Sequence, residues 1–164
     1  MSAIISDCGK YRYRLDRQIA LVGKSIAYFG INPSTADAID NDPTVRKWIG
    51  FSELQGAGRM IVGNVFAYRS KDVKDLLLDP LPAFSLVHQG YLKQIIGDAD
   101  VLVPCWGSRT KVPKELRHHF DNVLGLLLSS GKPVLHFGCT KSGDPLHPLF
   151  LSYTTPLKPW EIKK

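Results

Sequence analysis

A recurring alternation constrains this chain most: a short apolar run closed by a small or polar residue, then a longer stretch at helical spacing. The apolar runs lie at residues 25–31, 59–66, 100–105 and 134–137. Each has the length and the branched or aromatic content of a buried strand. Between them, Val45, Trp48, Ile49 and Leu54 recur near helical spacing, and Asp42 followed by Pro43 supplies an N-cap and a first-turn proline. Further helices are expected over 84–96, with Leu86, Val87, Tyr91 and Ile95 near one face, and over 113–130, stopped by Gly131. Residues 71–78 read as a shorter helix broken by Asp79-Pro80-Leu81-Pro82. Strands alternating with helices predict an α/β protein: a three-layer α/β/α sandwich around a mainly parallel sheet. Upstream, Tyr11-Arg12-Tyr13-Arg14-Leu15 alternates as a strand does. A turn at Asp16-Arg17 and a return over 18–22 would make an antiparallel N-terminal hairpin. The tail, with Pro156, Pro159 and Lys163-Lys164, reads as irregular.

One domain is the natural count for 164 residues. No apolar run approaches the roughly 20 residues of a membrane helix, and the N-terminus lacks a signal-peptide pattern. The 3 cysteines, Cys8, Cys105 and Cys139, fit no zinc or iron–sulfur spacing and read as thiols of a reducing cytoplasm. No membrane and no obligatory protein partner is implied. The net charge of +6 favours a polyanionic partner. Gly23-Lys24-Ser25 mimics the end of a phosphate-binding loop, but the required earlier glycine is Gln18, which removes that reading.

Ligands of open α/β sheets sit beyond the carboxyl ends of the strands. The segments that surface there are Gly30-Ile31-Asn32-Pro33-Ser34, then Asn64 to Ser70 with Phe66, Tyr68 and Arg69, then Trp106-Gly107-Ser108, and last Gly138 through His147-Pro148. Asn32 is the expected centre, with Asp42 beside it as helix cap or site residue. Asp37 and Asp40 read as solvated loop charges, and His118-His119 as surface residues without a third metal ligand. Arg69, Lys71, Arg109, Lys111 and Lys141 lie in or beside rim loops, and Arg46 and Lys47 lie near a helix start. Together they would make a track for phosphates.

These motifs carry a resemblance. GINPS, GNVFAYRS and HPLFLS occur in the order found in the uracil-DNA glycosylase superfamily, and the chain resembles its mismatch-type and thermophilic branches. Nearly the whole chain also resembles an uncharacterised bacterial and phage family with the signature INPSTAD, NDPT and HPL. The glycosylase resemblance implies a DNA glycosylase-like hydrolase acting on a base extruded from DNA, with no cofactor and no metal. It implies that Asn32 orients water, that Asn64 reads the base edge and that His147 stabilises the departing base. Gly30, Ile31, Pro33, Ser34, Trp106 and Gly107 would line the pocket, and Phe51, Phe66 or Tyr68 would stack on the base. Cleaving an N-glycosidic bond builds positive charge on the sugar and negative charge on the base, so such donors suit the chemistry. The acidic loop around Asp37, Asp40 and Asp42 and the missing cluster cysteines depart from the family; that loop could hold a base, a sugar appendage or a metal, and its alteration suggests a modified base as substrate. The alternatives are a non-catalytic nucleic-acid or nucleotide-binding module, and an enzyme of free nucleosides or nucleotides.

Overall fold

In a computed structural model that describes residues 1–79 and 85–162, the chain runs β1 (Ser2–Ile5), β2 (Arg12–Gln18), β3 (Lys24–Gly30), α1 (Pro43–Leu54), β4 (Ala57–Asn64), α2 (Leu86–Asp98), β5 (Val101–Pro104), α3 (His118–Leu128), β6 (Leu135–His136) and β7 (Lys158–Pro159). Among the described residues the protein is mixed α/β, with a five-stranded sheet in the order β1-β2-β4-β3-β5. β3 pairs in parallel with β4 and β5, whereas β2 is antiparallel to β4 and to β1. The sheet is therefore mixed rather than mainly parallel. Among the described residues no helix is long and apolar enough to cross a membrane.

β3 is the axis of the sheet because its residues are apolar on both faces. Ala27 and Phe29 pack with Leu92 and Ile95 of α2 and with Phe120, Val123 and Leu127 of α3. Ile26 and Tyr28 pack with Val45, Trp48 and Phe51 of α1. Alternating side chains of one strand thus anchor two cores, as a period of two requires. Asp42 caps α1, its carboxylate accepting the N–H of Val45 at 2.9 Å, and Pro43 opens the first turn.

Several local expectations change. Asp16-Arg17 does not turn, because β2 continues through both. Asp16 accepts Arg14 and Arg59, and Arg17 donates to Asn41 and to the carbonyls of Asp37 and Asp40. Charges that resemble a turn signal are satisfied inside the sheet, and the antiparallel hairpin forms between β1 and β2 instead. Residues 71–78 contribute a 3-10 turn at Val73–Leu78 rather than an α-helix. The 113–130 segment begins as a 3-10 turn at Lys114–Leu116, and the α-helix proper follows it. The run at 134–137 shrinks to β6, held beside β5 by a single bridge between Leu102 and Val134. β6 pairs with β7, so part of the tail is a strand. The expected break at Pro80-Leu81-Pro82, the helix start at Phe84 and the terminal Lys163-Lys164 lie outside the described residues.

The register of β1 on β2 slips once. Ile4 faces Arg14, but Ile5 faces Arg12, so Tyr13 is the extra residue of a β-bulge. Strict alternation would place Arg12 and Arg14 on one face. Instead, Arg14 reaches Asp98 of α2, while Arg12 turns to the α1 side and donates to the carbonyl of Ala36.

Candidate functional site

From β3 the chain moves to β4 on one side, then returns to place β5 on the other. A crevice opens where connections diverge in this way, beyond the carboxyl ends of the strands. β2, being antiparallel to β4, starts at the same rim. A cavity of about 230 Å³ occupies the crevice. It is lined by Gly30, Ile31, Asn32 and Ser34 after β3, by Asn64 at the end of β4, by Asp42 and Trp48 of the capped helix, and by Arg12, Lys71 and His147. The structure thus brings together Asn32, Asn64, Asp42 and His147, residues from three separate stretches of the chain. A neighbouring groove of about 390 Å³ shares Ser34 and Lys71 and adds Tyr68 and Arg69.

Asn64 is 4% exposed, and its side-chain amide makes no hydrogen bond among the described residues. A buried amide normally has partners, so this one is held open toward the cavity. Gly30 makes room for it: a Cβ there would lie 3.0 Å from Asn64 Oδ1 and 3.2 Å from the Trp48 ring.

Asn32 is committed differently. Its Nδ2 lies 3.1 Å from the carbonyl of Pro33, 3.3 Å from that of Tyr68 and 2.9 Å from that of Ser70. The amide nitrogen stitches the loop after β3 to the loop after β4, and only Oδ1 is left unspent among the described residues. Pro33 is buried and accepts the N–H of Ser70, so it shapes this corner from behind.

His147 caps the turn Pro148–Phe150, its Nδ1 accepting the N–H of Leu149 at 3.2 Å. An accepting Nδ1 puts the ring proton on Nε2. Burial, helped by the nearby Lys111 and opposed by Asp42, pulls the imidazole down to about 4. The ring is therefore a neutral donor at physiological pH. Gly107, at φ +78°, provides the space behind it: an added Cβ would meet His147 Cβ at 3.1 Å.

Other expected site residues fall elsewhere. Phe66 is buried against His119 and Phe120, and Trp106 packs on Phe120; both belong to the core, not the cavity wall. Phe51 packs on Phe137 and Tyr153. Tyr68 lines the neighbouring groove, and among the described residues the indole in the cavity wall is that of Trp48, which the sequence marks only by its helical spacing. Arg109 is spent: it donates to Asp121 and to the fully buried Asp144, which hold its guanidinium firmly protonated. It is not an open phosphate contact. Arg46, Lys71, Lys111 and Lys141 are exposed. Asp37 folds its carboxylate back on the N–H groups of Asp40 and Ile39, which lower its pKa. Among the described residues no cluster of metal-ligating side chains forms. Arg12 was missed as well, because alternation assigns it to the wrong face. Its bulge leaves no mark in the residue pattern.

A family model described as "Protein of unknown function (DUF1643)" matches residues 12–149. No protein of curated function and no solved structure matches the chain. The matched span starts at Arg12 and ends two residues past His147, so it includes every cavity-lining residue named here.

Proposed function

For this chain, which belongs to the DUF1643 family, we propose a DNA glycosylase-like activity: hydrolysis of the N-glycosidic bond of a base, modified in some way, that has been extruded from DNA. The reading includes a uracil-DNA glycosylase-like α/β/α sandwich, supported by the two cores on either side of β3. The observation that carries the proposal is the unspent amide of Asn64, buried in a cavity whose wall also holds the neutral His147.

A base inside a duplex is out of reach and must be flipped into a pocket. An Asn amide pairs with the edge of such a base by one donor and one acceptor. The bond between C1′ and the base nitrogen breaks with its electron pair going to the base, and His147 Nε2–H donates to the charge that develops there. Water attacks C1′, its oxygen forming the new bond. Asn32 Oδ1 orients that water, and Asp42, whose Oδ1 holds the N–H of Val45, offers Oδ2 for the released proton. Trp48 gives the base a flat wall. Phe150, 95% exposed and three residues beyond His147, suits the gap that an extruded base leaves in the stack.

The test is release of free base from single- and double-stranded DNA carrying natural and modified pyrimidines, read by mass spectrometry and by cleavage at abasic sites. Wild type is expected to release one of these bases. His147→Asn, which keeps the cap on Leu149 but lacks the ring donor, should be slower by about 10²–10³-fold. Folded protein that releases no base from any of these DNAs would overturn the proposal.

A further inference from the structure

Arg12 is 3% exposed, and burial lowers its pKa to about 10, so it stays charged at neutral pH. Its Nη1 donates to the carbonyl of Ala36 at 2.7 Å, and its Nε, itself shut off from solvent, has no hydrogen-bond partner among the described residues. Among the described residues Arg12 forms no ion pair, whereas the buried Arg14 holds Asp16 and Asp98. A buried cation with an open donor is expensive unless something anionic completes it. The bulge at Tyr13 is what turns this side chain into the cavity.

Two more donors share that wall. Lys71 brings an exposed ammonium from the loop after β4. Thr44 brings its hydroxyl and the second N–H of α1, a position for which the helix itself provides no acceptor. Among the described residues Asp42 is the one opposing charge in the lining, set against Arg12 and Lys71. The three donor groups come from separate elements, which suits a tetrahedral oxyanion better than a planar carboxylate.

We propose that Arg12, Lys71 and Thr44 form a subsite of the cavity for one phosphate group of a nucleotide. The inference rests on the reading that a nucleotide enters this cavity, and it adds that the phosphate is gripped inside the cavity rather than only along the surface. The same chemistry has two sources: the phosphate of a free mononucleotide, or a phosphodiester beside an extruded base.

The experiment follows the Arg12 Nε–H resonance of 15N-labelled protein, assigned by its loss in Arg12→Lys. Inorganic phosphate, thymidine, thymidine 5′-monophosphate and a short single strand containing an abasic analogue are titrated in turn. Phosphate should shift the resonance and thymidine should not. Lys71→Ala, a change at an exposed side chain, should weaken phosphate binding severalfold, and Arg12→Gln, followed by titration calorimetry because it lacks the reporting resonance, should abolish it in protein that still melts cooperatively. Stronger binding by the mononucleotide would identify a free nucleotide as the source, and stronger binding by the oligonucleotide would identify the strand. No shift with any phosphate-bearing probe, a shift unaffected by Lys71→Ala, or calorimetric phosphate binding by Arg12→Gln as tight as by wild type overturns the subsite. Base release is scored separately. Phosphate binding without base release would keep the subsite and remove the glycosylase reading, and base release without phosphate binding would do the reverse.

Discussion

The Nδ1 of His147 is occupied by the N–H of Leu149, and burial disfavours the charged ring. Its folded pKa of about 4 lies below the ordinary value of 6.5. Between those values the unfolded chain binds the proton more readily, so the stability this group contributes is complete above pH 6.5 and is lost as pH falls toward 4. The full loss is about 3 kcal/mol at most. Burial lowers His88 and His119 in the same direction, so they add to the slope. Urea midpoints should therefore fall between pH 7 and 4.5, and His147→Asn, which keeps the cap, should show a shallower fall. An equal slope in both proteins would mean that the imidazole is not held neutral. In Gly30→Ala the new methyl would press on Asn64 Oδ1 and on Trp48. The Trp is locked in the core, so the amide must yield. We expect about 1 kcal/mol lost in stability, and on the proposed glycosylase reading a fall of about tenfold in base release, because the amide proposed to read the base is misdirected. Unchanged turnover would show that the orientation of Asn64 is irrelevant.

Among the elements, α1 joins a structural device to a site residue. Asp42 caps the helix and also lines the cavity. Asn caps nearly as well as Asp, whereas Ala does not. Asp42→Ala should lower thermal stability by about 1 kcal/mol, or roughly 2–4 °C. Asp42→Asn should hold the melting temperature while removing the charge that opposes an anion beside Arg12, so phosphate should bind more tightly to it. Calorimetric melting and phosphate titration of both variants check this, and equal melting temperatures would deny the cap its role. The same elements set what was legible in advance. Strands of unbroken apolar character and the Asp-Pro helix start could be read because local chemistry alone dictates them. The edge of the sheet could not. β2 carries charges with distant partners, Asn41 24 residues from Arg17 and Asp98 84 residues from Arg14, and no local pattern reveals them. The site divided in the same way. Residues at strand ends, Asn32 and Asn64, followed from the rule that crevices form there. Trp48 and Arg12 depend on how a helix leans and where a strand slips. The aromatics Phe66 and Trp106 sit in rim segments by sequence yet turn inward, because α3 covers that face.

A net charge of +6 matters only through those cations that remain open. Arg109 is closed. Asp144, 0% exposed, accepts its backbone N–H and its Nε, while Asp121 takes the other end of the guanidinium. Arg109→Ala would strand a buried carboxylate, and breaking such a pair costs about 3–5 kcal/mol. Lys71, Lys111 and Lys141 are exposed and form no ion pair among the described residues. A nucleic acid laid across this rim would release one counterion for roughly each phosphate neutralised, with a logarithmic salt slope of about −0.9 per contact. Lys111→Ala should therefore lower the slope of DNA affinity against salt by about one contact and leave the melting temperature unchanged. Arg109→Ala should do the opposite: a large loss of stability, and no change in slope for the fraction that remains folded. Affinities measured from about 50 to 200 mM salt would show the contrast. If Arg109→Ala changes the slope and Lys111→Ala does not, the open cations lie elsewhere and the rim is not the DNA-facing surface.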